Sequence, residues 1–74
     1  MASVSDLAVG KCFVTASKQM RKVVDYANGE VTYESWSANQ ERPATPSRVK
    51  VNDAKFCADV DRAVPCHHRE GFGG

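Results

Sequence analysis

The chain has 74 residues, with ten Lys and Arg against nine Asp and Glu, so its formal charge at neutral pH is +1. A chain of this length forms one domain with a small core, because short chains bury only about 60% of the surface that they expose when unfolded. The near-zero charge is atypical of general nucleic-acid binders, which usually present a clearly basic face. No apolar run approaches the roughly 20 residues that cross a membrane, and the first six residues are unlike a signal peptide. We therefore expect a cytoplasmic protein that does not associate with membranes.

The three cysteines are Cys12, Cys57 and Cys66. An odd and low number of cysteines argues against a disulfide scaffold. Cys12 and Cys57 lie within apolar patterns, so we interpret both as small buried hydrophobic residues in a reducing compartment.

Two strands are predicted in the first third of the chain. Lys11 to Ala16 has high strand propensity, and a second strand is predicted from Met20 to Tyr26. Alternation puts Val24 and Tyr26 on one face of this second strand and Val23 on the other. Apolar residues on both faces are typical of a sharply curved strand in a small barrel.

The strongest local signal is the Asn28-Gly29 pair, because both residues tolerate the positive φ that a tight hairpin turn requires. A third strand is predicted from Val31 to Ser37. Residues 37–47 contain two prolines and almost nothing apolar, which indicates a surface loop. A short fourth strand, Arg48 to Val51, is predicted after that loop.

The hydrophobic period then changes from that of a strand to that of a helix. The Asn-Asp pair at 52–53 can supply an N-cap, and Phe56, Val60 and Val64 share one helical stripe. Pro65 ends the helix. We therefore predict one helix over 52–64 as the last element of the fold.

Residues 1–65 are interpreted as a single domain and residues 66–74 as a flexible tail, since the tail holds three glycines and no apolar period. Cys66-His67-His68 is the only cluster of metal-ligand residue types. Zinc needs about four ligands in a tetrahedron, and no CxxC or HxxxH spacing is present, so no metal or cofactor is predicted. A nucleophilic Cys66 would need a positioned base, which a mobile tail does not provide. Whether this tail binds a metal is left open.

The segments Leu7-x-x-Gly10-x-x-Phe13, Gln19-x-Arg21-Lys22-Val23 and Gly29-x-Val31-Thr32-Tyr33-Glu34 resemble the opening of small SH3-like barrels. The chain is similar to short, uncharacterised bacterial proteins of this kind, some of them carried on mobile gene cassettes such as those of integrons. The resemblance covers about residues 7–64. It implies a mainly β fold, an SH3-like barrel of four to five strands plus a C-terminal α-helix, and it implies no activity.

Four residues are predicted to border a binding surface: Trp36, Tyr33, Arg42 and Arg48. Trp36 lies beside the long proline-containing loop, and exposed aromatics and loops often meet the ligand in small barrels. Trp36 would supply apolar contact, and the arginines would supply charge-assisted hydrogen bonds. The alternative is that Trp36 packs beneath the loop and anchors it.

The sequence contains no catalytic signature, so we expect a non-enzymatic binding or interaction module whose partner is a protein or peptide. Two other functions remain open. One is a nucleic-acid-binding barrel, in which basic side chains meet phosphates while an aromatic residue stacks on a base. The other is an enzyme whose site forms between barrels in a symmetric oligomer.

Overall fold

The computed structural model describes residues 2–69. One antiparallel sheet contains the five strands, in the order β4-β3-β2-β1-β5. After a single 3₁₀ turn, Val4–Asp6, the elements in chain order are β1 (Cys12–Thr15), β2 (Gln19–Ala27), β3 (Glu30–Ser37), β4 (Ser47–Asn52), α1 (Asp53–Asp59) and β5 (Val60–Val64). The prediction of a mainly β fold with one helix is confirmed.

The sheet is open. β4 pairs with β3, β5 pairs with β1, and within residues 2–69 these two edge strands do not pair with each other. The predicted closure into a barrel is therefore absent from the described part of the chain.

The turn between β2 and β3 has the backbone conformation that the sequence predicts. Asn28 and Gly29 have φ values of 55° and 75°, and the pair Ala27–Glu30 closes the hairpin. Positive φ at both central residues is the requirement of the tight hairpin turn, so this prediction is confirmed.

β2 carries a bulge that changes which side chains face the core. Its register against β3 shifts between Val23 and Asp25. The extra residue brings Val23 and Tyr26 to the same face, where both pack in one hydrophobic cluster, while Val24 is only half-buried. The prediction that Val24 and Tyr26 share a face opposite Val23 is therefore wrong, because simple alternation fails at a bulge.

The predicted helix over 52–64 is too long. α1 is seven residues, and the Asn52 side chain caps it by accepting a hydrogen bond from the Lys55 N–H at 2.7 Å. Val60 is already extended, and β5 pairs with β1. The valines of this segment prefer a strand, since branching at Cβ restricts them in a helix, and the free edge of β1 supplies the partner.

The two faces of the sheet carry separate hydrophobic clusters. On the first face, α1 covers the sheet, and the buried members are Leu7, Phe13, Val23, Val31, Tyr33, Phe56, Cys57 and Val60. On the second face, the buried members are Cys12, Val14, Met20, Trp36 and Ala38. We call these the helix face and the tryptophan face.

A disulfide joins Cys12 to Cys66, with their Cα atoms 5.0 Å apart. Cys12 and Cys57 are both buried, as predicted. Cys57 is free, but Cys12 is not, so the expectation of a reduced Cys12 is wrong. The pairing of Cys66 with Cys12 could not be predicted from the sequence, because the two residues are 54 positions apart and only the fold brings Cys66 beside β1. The expectation of a reducing compartment assumed that the cysteines are not bonded to one another, and this disulfide contradicts that assumption.

The proposed division into a domain and a flexible tail stays a prediction, although its first tail residue, Cys66, is tied to β1. Residues 70–74 of that tail lie outside the described residues. In the part of the chain that is described, no helix has the length and apolar character needed to span a bilayer.

Candidate ligand-binding pocket

A pocket of about 460 Å³ lies on the tryptophan face of the sheet. Its lining comes from Trp36 on β3, from residues 40–42 in the loop that follows β3, and from residues 66–69 after β5. The end of β3 and the loop after it therefore meet a segment more than 20 positions further along the chain.

Trp36 is the apolar surface of this pocket. It stands on β3 directly opposite Met20 of β2, and only 7% of its surface is exposed. The expected exposed aromatic is thus largely a core residue, whose remaining surface faces the pocket. Since it is the only tryptophan of the chain, its fluorescence reports on this site.

A buried carboxylate supports the arginine that lines the pocket. Glu34 is 3% exposed, and its two oxygens accept three hydrogen bonds from Arg42, at 2.9 to 3.0 Å from Nε and Nη2. Arg48, opposite Glu34 in the β3–β4 register, donates a further bond from Nη2 at 3.1 Å. This bidentate geometry fixes the plane of the Arg42 guanidinium.

Burial is the largest single influence on the pKa of Glu34, and it raises that pKa. The hydrogen bonds and charges of Arg42 and Arg48 together outweigh burial, so the pKa ends below its usual value. Glu34 is therefore an anion at neutral pH. It neutralises part of the charge of two arginines that remain partly open to solvent.

The loop that carries Arg42 is anchored at several points. The Ala38 N–H donates to the Lys18 carbonyl at 2.9 Å, and the Ser37 hydroxyl donates to the Asn39 side chain at 2.6 Å. Arg69 forms an ion pair with Glu41 at 2.9 Å, which joins the loop to the segment after β5. The Cys12–Cys66 bond holds that segment against the sheet. Both walls of the pocket are thereby attached to the core.

Tyr33 does not belong to this pocket. It lies on the helix face, because positions 33 and 36 of a regular strand point to opposite sides. Its ring centroid is 5.4 Å from that of Phe56, and the Arg21 guanidinium lies 4.9 Å above its ring. Of the four predicted binding residues, Trp36 and Arg42 line the pocket. Arg48 bonds to Glu34 but does not line the pocket, and Tyr33 lies on the opposite face of the sheet.

Sequence reasoning missed Glu34 and the segment 66–69 as parts of the site. Glu34 carried a usable signal, since it is an acid between two aromatic residues in a predicted strand, a position where an unpaired charge is costly. The segment 66–69 carried none, because its place depends on a disulfide between distant residues.

Within residues 2–69, no group of three or more His, Cys, Asp or Glu side chains is placed to hold a metal ion. His67 and His68 both line the pocket.

Comparison with known proteins finds no protein-family model, curated protein or solved structure that matches the chain.

Proposed function

We propose that the protein is a non-enzymatic binding module that holds a group of a protein partner over Trp36. The observation that carries the proposal is the pairing of an apolar surface with a cation of fixed orientation. Trp36 supplies the former, and Arg42, held by the buried Glu34, supplies the latter. A rigid arginine loses less conformational entropy on binding than a mobile one does.

The charges around the pocket favour an anionic group on the ligand. Among the charged residues that line the pocket, Arg42 and Arg69 exceed Glu41 by one positive charge when the histidines are neutral. Glu34, which lies outside the lining and pairs with Arg42, is shared with Arg48. A side chain with an aromatic or aliphatic body and a neighbouring carboxylate would place its body on Trp36 and its charge at the arginines. This is the chemistry expected of a short acidic and apolar segment in a protein partner.

We also propose that the fold is an open relative of the SH3-like barrel. The strand order, the bulged β2 and the short helix between β4 and β5 support this proposal. Fold resemblance carries no activity with it. We propose as well that the chain is related to the mobile-cassette proteins, that it has no enzymatic activity and that it is located in the cytoplasm.

The proposal is tested with N-acetyl-phenylalanine, which carries an aromatic ring and a carboxylate, and with its uncharged amide. The carboxylate is expected to shift Trp36 fluorescence and the Trp36 indole N–H resonance at lower concentration than the amide does. Arg42→Gln should remove this preference, whereas Lys55→Gln, on the exposed surface of α1, should retain it.

Equal binding of the two probes would contradict an anion-selective pocket, and no change at Trp36 at any concentration would contradict the site itself. The alternatives have their own signatures. Tighter binding of oligothymidylate, with steep weakening by salt, would identify a nucleic-acid binder. A stable oligomer in light scattering, with residues of two copies at one pocket, would favour the oligomeric enzyme.

A further inference from the structure

We propose a second binding surface, the free edge of β4, which pairs with an extended segment of a partner protein in which acidic residues alternate with apolar ones. This surface is separate from the pocket over Trp36. Strand addition at a sheet edge gains affinity from main-chain hydrogen bonds and specificity from alternate side chains.

The backbone groups at this edge are identified by the β3–β4 ladder. The Asp53 N–H donates to the Gly29 carbonyl at 2.9 Å, one step beyond the pair Glu30–Asn52. Hydrogen-bonded and non-bonded pairs alternate along an antiparallel ladder, so the backbones of Val51 and Val49 bond to β3. The N–H and C=O groups of Lys50 and Arg48 therefore point away from β3.

No strand in residues 2–69 occupies that side of β4. Five of the six residues of β4 are exposed, and Val51 alone is half-buried. The outward N–H and C=O groups are thus available to a further strand.

β4 presents basic side chains on one face of the sheet and valines on the other. Arg48 and Lys50 lie on the tryptophan face, and 63% of each side chain is exposed. Val49 and Val51 lie on the helix face, where Val49 is 41% exposed and Val51 packs against the core cluster. A strand added beside β4 would meet cations on one face and valines on the other.

The pairing between β3 and β4 shows which sequence this edge accepts. On the inner side of β4, Glu34 lies opposite Arg48 and Tyr33 lies opposite Val49. The same alternation of acid and apolar residue on the outer side would engage the remaining donors of Arg48. Lys50 is available as well, since its partner Glu30 is 3.9 Å away and both side chains are more than half exposed.

A second copy of the chain is a poorer partner for this edge. A β4–β4 register centred on Val51 pairs Lys50 with Asn52 but leaves Arg48 outside the ladder. An antiparallel register that engages the outward groups of both Arg48 and Lys50 places one of these residues opposite itself or opposite the other. Each such register puts one cation directly opposite another, which is unfavourable for a cross-strand pair. Charge complementarity therefore selects an acidic segment.

The test uses the full chain and the acetylated, amidated peptide Thr-Glu-Val-Glu-Val-Thr, with Thr-Lys-Val-Lys-Val-Thr as its matched control. Binding is followed by chemical-shift changes and amide exchange. The acidic peptide should slow exchange at the amides of Arg48 and Lys50, which point outward. The basic peptide should bind roughly ten-fold more weakly, because it puts like charges opposite each other.

Two variants separate charge from backbone pairing. Lys50→Glu should reduce or reverse the preference between the two peptides. Lys50→Pro should abolish binding of both, since it removes one outward N–H, while the ladder to β3 keeps all its bonds and proline is tolerated on an edge strand. Circular dichroism and the melting temperature verify that each variant folds.

Several results would overturn the proposal. The protein could bind the two peptides with equal affinity, or the Lys50→Pro variant could bind them as the wild type does. The chemical-shift changes on adding peptide could also be confined to Trp36 and its neighbours. Concentration-dependent dimerisation that Lys50→Pro abolishes would also overturn it, because the occupant would then be a second copy. Retained edge binding in Arg42→Gln would show that this surface is independent of the pocket.

Discussion

Glu34 connects the sheet to the pocket, because it is buried in β3 while both of its arginine partners reach solvent. A carboxylate in such a position is stable only when its hydrogen-bonding capacity is filled. Arg42 and Arg48 fill it with four hydrogen bonds between them. Glu34 of the preceding strand is therefore one of the residues that hold the loop carrying Arg42.

Glu34→Gln is expected to lower the free energy of unfolding by about 1–3 kcal/mol at neutral pH, which is the range for charged hydrogen bonds and buried polar groups. The loss stays below that of a fully buried pair because the side chains of Arg42 and Arg48 are 43% and 63% exposed and can be hydrated. Urea denaturation measures the change. Glu30→Gln is the matched control on the same strand, since its ion pair is exposed and should contribute less than about 1 kcal/mol. Equal effects of the two variants would contradict the role of Glu34.

The stabilisation by Glu34 should depend on pH in a defined direction. Its pKa is lowered in the folded state, so its contribution is complete above the unfolded-state pKa of about 4.3 and is lost as the pH falls through the lower folded-state pKa. The difference in stability between the wild type and Glu34→Gln should therefore shrink on acidification below about pH 4. A difference that stays constant from neutral pH to pH 3 would show that the charge of Glu34 does not contribute.

Among the secondary-structure elements, the sequence predicted those whose signals are local. The Asn28-Gly29 turn, the Asn52 cap and the four strands before the helix follow from turn chemistry, capping and strand propensity. The bulge in β2 and the strand β5 did not follow, because each depends on a partner strand. The register shift beside Val23 is defined only against β3, and Val60–Val64 becomes a strand only because β1 offers an edge.

The hairpin provides a test of local backbone conformation. Gly29→Ala should destabilise the protein by about 1 kcal/mol, because the φ of 75° at this position is unfavourable for a residue with a Cβ. No atom outside its chain neighbours lies within 4 Å of that Cβ, so the cost comes from the local backbone conformation and not from contact with other parts of the fold. Asn28→Gly, at the adjacent position with φ of 55°, is the control and should be tolerated. Thermal unfolding compares the two, and an equally stable Gly29→Ala variant would contradict the turn conformation.

The packing of α1 on the sheet depends on one aromatic residue. Phe56 is fully buried, and its ring lies 5.5 Å from that of Phe13 and 5.4 Å from that of Tyr33. Phe56→Ala should lower the free energy of unfolding by about 3–5 kcal/mol, the range for truncating a buried phenylalanine. Lys55→Ala, one residue away and exposed, should change it by less than about 0.5 kcal/mol. Chemical denaturation distinguishes them, and similar midpoints would mean that the helix is packed in another register.

For the whole molecule, the Cys12–Cys66 bond closes the chain from its first strand to the segment beyond its last. Within residues 2–69 the sheet does not close into a barrel, and this bond helps to hold one wall of the pocket against the sheet. The sequence could not predict it, since three cysteines leave the pairing undetermined and only the position of β1 beside β5 brings two of them together. Disulfides are typical of oxidising compartments. The state of these two thiols in the native cell is therefore the measurement that bears on where the protein works.

Cys66→Ser should destabilise the protein by about 2–5 kcal/mol, the range for removing a native disulfide. Constraining a loop of this length lowers the entropy of the unfolded chain, and the chain-entropy relation gives about 4 kcal/mol. Because Cys66 is exposed, this substitution breaks the bond without leaving a core cavity. Cys57→Ala removes the free thiol, and it should leave the bond intact.

The same variant tests whether the disulfide and the pocket are connected. Releasing residues 66–69 should uncover Trp36, so its emission should shift to longer wavelength and acrylamide should quench it more efficiently in Cys66→Ser. Treating the wild type with a reductant should reproduce both changes, while Cys57→Ala should show neither before reduction. If Cys66→Ser unfolds as the wild type does and Trp36 emission is unchanged, the disulfide supports neither the fold nor the pocket. The tail after residue 65 would then be dispensable, as its glycine-rich sequence suggests.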